Sequence, residues 1–403
     1  PRLCRDWSSD VCSSDLICGD LQAPPSKSDS HRAIIAGGLA ALTSDSVGSV
    51  DGLVFSKDVA ATLKAMAAFG LNYRQTSEAI VFESSDIITP SVAIDCVESG
   101  STLRFCIPMS QLVKGAVTFT GQNHLRHRPL TDYERLFHDK DIDYTYSGTL
   151  PMTISQGSIT GNMELNGNVS SQYFSGLFFT LPLLNGDSEI QVVGELESKG
   201  YVDMTIDTLS RHGITIQNNN YKGFSIRGSQ KYQSCHYRVE GDYSNAAFWI
   251  VAGQISGPVK INGLKPESLQ RDKEVIDVVR AMGGQVTWEG NCLISTPSKT
   301  RGIVIDAREI PDIIPILCVL AALSEGETTV INGQRLRVKE SDRIKSTVSE
   351  LKKLGAIIEE TEDGMRITGK NGLDGGNVES WNDHRIAMAM AIAASRCLGP
   401  VLL

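Results

Sequence analysis

A helix pattern that stops at a glycine and gives way to an alternating strand recurs along this chain at a nearly fixed distance. LKAMAAFGLNYR turns at Gly70, IDTLSRHGITIQ at Gly213, VIDVVRAMGGQVTW at Gly284 and SELKKLGAIIEE at Gly355. The intervals are 143, 71 and 71 residues, and the first is close to twice the others. A missing copy is therefore expected near residue 141, where DYERLFHDKDIDYTY makes the same switch without a glycine. The glycine is the expected left-handed C-cap, and the alternation after it reads as a half-buried strand.

A second series interleaves with the first. Polar clusters open small-residue, apolar helices at SHRAIIAGGLAAL (30), GSTLRFCIPMSQL (100), SSQYFSGLFFTLPLL (170), YSNAAFWIVAGQI (243), IPDIIPILCVLAAL (310) and DHRIAMAMAIAAS (383). Short Val/Ile-rich strands such as SVAIDCV, EIQVVG and TTVING lie between them. The repeat is a βαβαββ unit of about 70 residues, present six times. Helices apolar nearly all round belong in an interior, so strands should cover them. That arrangement is an α/β barrel turned inside out. A further step of 71 from Gly355 runs past residue 403, so the sixth copy is expected to be incomplete. The first residues, PRLCRDWSSDVCSSDL, carry charge throughout and lack a signal peptide's apolar stretch of roughly 7–15 residues. Residues 1–15 are expected to be non-native or disordered.

The chain carries a net charge of −9, which gives it no general attraction for nucleic acid or an anionic membrane. No apolar run reaches the roughly 18–20 residues of a spanning helix; Phe174 to Leu184 comes nearest. The nine cysteines form no C-x-x-C pair and none sits at zinc spacing with a histidine. Reduced cytoplasmic thiols and no metal site are expected. There is no Walker A and no G-x-G-x-x-G sequence.

Local charge runs against the total. Segments 26–32, 98–104, 125–129, 335–343 and 383–385 hold ten basic and five acidic residues, leaving −14 for the rest. A basic island on an acidic chain suits a small polyanion, and its arginines suit bidentate contact with carboxylate and phosphate. Helix starts add unpaired N–H groups and the positive end of the dipole. In PPSKSDSHR, Lys27 and Ser28 can meet an anion with Arg32 one turn on. ESGSTLRF offers a Gly100 turn with Arg104 behind it. HLRHRPL, SSQ (170–172), RLRVKESDR and DHR complete the set. Asp312 stands before a buried helix, where capping and site roles are both open.

PPSKSDSHRA, SGSTLRF, RPL, SSQYFSGL, SKGYVDMT, VEGDYSNAAF, IPDIIP, LRVKESDR and NDHRIAMA occur in this order. Together they resemble the EPSP synthase family of enolpyruvyl transferases, from about Ile17 onward. The resemblance implies two domains of three repeats each and a cleft between them that holds the active site. Residues 16–26 and 239–403 would form one domain, and 27–238 the inserted other.

It also implies the chemistry. The enolpyruvyl group of phosphoenolpyruvate passes to the 5-hydroxyl of shikimate 3-phosphate through a tetrahedral ketal phosphate, and phosphate leaves. No cofactor is implied, and the protein would be a cytoplasmic monomer. By motif position, Lys27, Ser28, Arg32, Ser170, Ser171, Gln172, Ser198, Asp312 and Lys339 would bind shikimate 3-phosphate. Lys27, Gly100, Arg128, Gln172, Arg343 and Arg385 would bind phosphoenolpyruvate. Asp312 and Glu340 are the acid and base candidates, undecided between the roles, with Lys27 bridging the substrates.

Glu98, Arg335 and Gly200 depart from commoner family residues. A further Lys-bearing segment of the family is missing after residue 403, which leads us to expect weak activity. Two alternatives remain. One is the sister transferase acting on UDP-N-acetylglucosamine, whose Lys-Asn-Ala motif and loop cysteine are missing here. The other is a non-catalytic anion-binding repeat protein.

Overall fold

The computed structural model describes residues 17–44, 47–87 and 92–403. The expectation for residues 1–15 falls outside them. The described chain divides into two compact units, one holding residues up to Pro24 with Gly241–Leu403, the other Pro25–Glu240.

The six repeats are visible as elements. The first supplies β1 (Gly19–Gln22), α1 (Lys27–Thr43), β2 (Ser49–Asp51), α2 (Lys57–Ala68), β3 (Asn72–Gln75) and β4 (Ala79–Glu83). The second supplies β5 (Val92–Asp95), α3 (Gly100–Cys106), β6 (Val117–Thr120), α4 (Thr131–Asp139), β7 (Tyr144–Thr145) and β8 (Met152–Ile154). The third runs β9 (Gly161–Asn166), α5 (Ser171–Thr180), β10 (Ser188–Val193), α6 (Lys199–Arg211), β11 (Ile216–Asn218) and β12 (Gly223–Ile226). The fourth runs β13 (His236–Arg238), α7 (Tyr243–Ile255), β14 (Val259–Asn262), α8 (Val275–Ala281), β15 (Gln285–Glu289) and β16 (Cys292–Thr296). The fifth holds β17 (Val304–Asp306), α9 (Ile314–Ala322), β18 (Glu327–Ile331), α10 (Arg343–Lys353), β19 (Ile357–Glu360) and β20 (Met365–Thr368). The sixth holds β21 (Gly376–Asn377), α11 (His384–Ala394) and β22 (Val401–Leu402).

One sheet plan recurs. In the second repeat β5 lies parallel to β6, β6 antiparallel to β8, and β8 antiparallel to β7. The third and fifth repeats follow the same order. The first and fourth exchange their leading strands: β13 pairs with β2 and β1 pairs with β14. The chain thus completes one sheet in each unit with a strand distant in sequence. No periodicity signals that exchange, because a parallel neighbour is chosen by the crossover and not by local pattern.

The first helix of each repeat forms the interior. Every residue of α1 from Asp29 to Leu42 is buried, as is all of α9. Small residues let covering strands approach: a Cβ on Gly37 would fall 2.3 Å from Phe82 Cε2 of β4. Phe82 is fully buried there, which contributes roughly 1.5–3 kcal/mol. Helix α1 packs on α2 and α6, and α3 on α5; in the other unit α7 packs on α9 and α11.

The left-handed positions after the second helices refine the repeat. They fall at Gly70 (φ +111°), Asp141 (+51°), Gly213 (+76°), Gly283 (+96°) and Gly355 (+79°). In the fourth repeat the left-handed residue is Gly283, not Gly284. In the second, Asp141 takes the conformation without a glycine, as Asp and Asn can at moderate cost. Two helix starts also move from expectation. α1 begins at Lys27, earlier than Ser30, because Ser26 caps it by accepting from Asp29 N at 3.4 Å. α9 begins at Ile314, later than Ile310, with Pro315 in its first turn.

Candidate functional site

In the Pro25–Glu240 unit the expected residues gather at the starts of α1, α3, α5 and α6. Arg32, one turn into α1, is buried at 2% exposure. Its Nη1 donates to Ser28 O (2.7 Å), Nε to Thr205 Oγ1 (2.9 Å) and Nη2 to Tyr201 O (2.9 Å). The rings of Phe105 and Tyr201 lie 5.2 and 5.7 Å from the guanidinium carbon. Burial lowers its pKa to about 10, so it stays charged at neutral pH. Arg32 thereby ties the Lys27–Ser28 turn to α6, whose start at Ser198 is left-handed (φ +56°). Lys27 Nζ meets Asp58 Oδ2 at 2.9 Å.

A second knot joins α3 and α5. Ser99 and Ser170 cap these helices through Thr102 N (3.1 Å) and Gln172 N (3.3 Å), with Ser171 buried behind. Arg104 Nη1 donates to Gln172 Oε1 at 2.8 Å, and Gln172 Nε2 donates to Ser101 Oγ at 3.0 Å. Arg104 Nη2 also reaches Pro129 O at 3.2 Å, beside Arg128. A Cβ on Gly100 would lie 2.7 Å from Arg128 Nη1, so the missing side chain seats that guanidinium against the helix start. Tyr201 and Thr205 were not among the expected site residues, and Arg104, expected only as a cation behind the Gly100 turn, instead holds Gln172. The Arg104 signal was present in GSTLRF. Tyr201 had none, because its contribution is a backbone carbonyl.

In the other unit the organising residue is Arg343, the first of α10, with 2% of its side chain exposed. Its Nη1 donates to Asp312 Oδ1 (2.7 Å), Nη2 to Glu340 Oε2 (2.7 Å) and Nε to Asp383 Oδ2 (2.9 Å). Lys339 Nζ reaches the same Asp312 oxygen at 3.3 Å. Asp312 does not cap α9, whose N-cap Ile313 makes no side-chain bond. Burial alone would raise its carboxyl; Lys339, Arg343 and Arg385 outweigh that and hold it well below the usual carboxylate range. Burial, then the neighbouring Arg335 and Arg343, lowers the Lys339 ammonium against the pull of Asp312.

Asp383 caps α11 by accepting from Arg385 N at 2.9 Å while holding Arg343. Its N-cap position was readable in the sequence; its service to Arg343 was not. Arg385 Nη1 donates to Ser244 O at 2.9 Å, and its guanidinium carbon lies 5.8 Å from the centre of the Phe248 ring. Arg337, counted in the basic island, is instead paired with Asp342 (3.2 Å) and Glu360 (2.7 Å). Among the described residues no group of three or more His, Cys, Asp or Glu is placed to hold a metal ion, and no helix is long and apolar enough to cross a membrane.

Each unit thus presents fixed cations at capped helix starts, and one adds three carboxylates held on a single arginine. Such an arrangement can bind small polyanions and move a proton beside them.

The family model described as EPSP synthase (3-phosphoshikimate 1-carboxyvinyltransferase) matches residues 12–403. The chain is 48% identical over 396 residues to the 3-phosphoshikimate 1-carboxyvinyltransferase of Clostridium novyi (strain NT), spanning 96% of this chain and 90% of that protein. It is 47% identical over 385 residues to the protein of the same name from Clostridium acetobutylicum, spanning 94% and 89%. Among solved structures, EPSP synthase from Acinetobacter baumannii superposes with a TM-score of 0.82 at 24% identity, over 97% of this chain and 92% of that one.

Proposed function

The chain belongs to the EPSP synthase family, and from that premise we propose that its two clusters act on one pair of substrates, shikimate 3-phosphate and phosphoenolpyruvate. The reaction transfers the carboxyvinyl group of phosphoenolpyruvate to the 5-hydroxyl of shikimate 3-phosphate. Lys27, Ser28, Arg32, Ser170, Ser171, Gln172, Ser198, Asp312 and Lys339 take shikimate 3-phosphate. Arg128, seated by Gly100, takes phosphoenolpyruvate with Gln172, Arg343 and Arg385, and Lys27 bridges the two substrates.

Asp312 is the base. Its neighbours keep it ionised, so it can accept the 5-hydroxyl proton as that oxygen attacks C2. Glu340, on the same guanidinium, carries the proton that C3 gains on addition and loses again when phosphate is eliminated. Held tightly by Arg343, Asp312 is a weak base. An incoming phosphate or carboxylate that shares Arg343 and Arg385 relieves that pull and raises its basicity. The observation that carries this reading is the Arg343 clamp, which places both carboxylates beside Lys339.

A phosphate-release assay with both substrates tests it. Release that depends on both substrates, and that falls by orders of magnitude in Asp312→Ala and Lys27→Ala, is expected. Binding of shikimate 3-phosphate with no turnover under any condition would favour a non-catalytic anion-binding protein.

A further inference from the structure

Arg385 carries a buried positive charge, at 5% exposure, without a carboxylate in ion-pair contact among the described residues. Its Nε is buried and has no hydrogen-bond partner. A guanidinium in that position is costly unless its surroundings hold it in place and supply negative potential. The carboxylate nearest in sequence, Asp383, is committed to Arg343 and to capping α11. What holds the Arg385 side chain comes from α7: the Ser244 carbonyl and the Phe248 ring.

Ser244 is itself held from a different place. Its hydroxyl donates to Asp272 Oδ2. Asp272 is 2% exposed, sits in the turn before α8, and has its other carboxylate oxygen buried without a partner. The same turn supplies Gln270, whose Oε1 accepts from Tyr243 N (3.1 Å) and whose Nε2 donates to Gly241 O (2.7 Å). Residues 270 and 272 therefore grip the start of α7, the first just before Ser244 and the second at Ser244 itself, whose carbonyl meets Arg385. A neutral turn of this kind would need only Gln270. A carboxylate added at full burial, 28 residues from Ser244 in sequence, calls for another reason.

We propose that Asp272 is a positioning residue for Arg385: acting through Ser244, it fixes the guanidinium that receives phosphoenolpyruvate and gives it a negative counterpart behind the site. This rests on the assignment of Arg385 to phosphoenolpyruvate above. Burial and the Asp312 charge push the Asp272 carboxyl up to about 7, against the Ser244 hydrogen bond and the Arg385 charge, which favour its ionised form.

The test is steady-state phosphate release by the full chain and by the Asp272→Asn, Ser244→Ala, Arg385→Gln and Asp272→Asn/Arg385→Gln variants, with each substrate varied at saturating levels of the other. Asp272→Asn and Ser244→Ala are expected to raise KM for phosphoenolpyruvate about tenfold and to leave KM for shikimate 3-phosphate within about twofold. The Asp272→Asn effect should largely vanish in the Arg385→Gln background. An unchanged KM for phosphoenolpyruvate, an equal rise in both KM values, or full additivity with Arg385→Gln would overturn the proposal while leaving the Arg385 assignment in place. An Arg385→Gln variant with unchanged KM for phosphoenolpyruvate would instead remove the assignment, and the proposal with it. If Asp272→Asn does not fold, Ser244→Ala decides, since it keeps the carbonyl that meets Arg385 and deletes only the link to Asp272.

Discussion

Arg343 Nη1 donates to Asp312 Oδ1 at 2.7 Å across 31 residues of sequence, and the same guanidinium binds Glu340 and Asp383. Three carboxylates therefore depend on one buried cation. Replacing it by lysine keeps the charge but loses the planar fork that reaches all three. We expect Arg343→Lys to cut turnover by about 10²–10³-fold. Loss of stability by about 3–5 kcal/mol is expected for Arg343→Ala, which strands buried charge. Phosphate release and urea denaturation measure the two effects.

Gly100 and Arg128 give a steric prediction. In Gly100→Ala the new methyl would lie 2.7 Å from Arg128 Nη1, so the guanidinium must move. KM for phosphoenolpyruvate should rise about tenfold to a hundredfold, while KM for shikimate 3-phosphate and the melting temperature stay close to those of the parent. A matching rise in both KM values would contradict the placement of Arg128.

His31 predicts an acid-side loss of stability. It is fully buried in α1, its Nδ1 lies 2.6 Å from Thr62 Oγ1, and burial, aided by the Lys27 charge, lowers it to about 3. The unfolded chain takes a proton near pH 6.5 and the native one does not. Stability from this group is therefore complete above about 6.5 and is lost as pH falls toward 3, by an amount on the order of several kcal/mol. Asp29, raised by burial to about 6, has the opposite sign: its stabilisation is greatest below about 4 and is lost as pH rises through 6. Urea denaturation of His31→Gln between pH 7 and 5 should show a smaller acid loss than the parent, and the His31 ring should remain neutral by NMR down to about pH 4.

Asp141 occupies a left-handed position that the other repeats give to glycine. Its side chain is exposed. Asp141→Gly removes the Cβ strain at the cost of some unfolded-state entropy, and should stabilise the chain by about 0.5 kcal/mol. Gly355→Ala should destabilise it by more, since a Cβ there would fall 1.9 Å from Asp374 Oδ2. A lower melting temperature for Asp141→Gly would contradict this account.

Features that depend on neighbouring residues could be read along the chain. A cap at Ser99, Ser170 or Asp383 acts within three residues, and a left-handed turn at Gly70 or Gly355 acts within one helical turn. The repeat and most helix starts were therefore legible. Local competition explains the small shifts, such as Gly283 beside Gly284 and the Pro315 start of α9. The pairings arise from the packing of distant segments. The strand exchange between β1 and β13 and the reach of Arg385 to Ser244 span more than a hundred residues. So does the tie from Arg32 to Tyr201 and Thr205. Arg337 and Arg343 look alike in RLRVKESDR, yet one is neutralised by Glu360 and the other is buried among Asp312, Glu340 and Asp383. Charge says only that a residue needs a partner. Which partner it meets depends on distances that the packing of distant helices and strands sets.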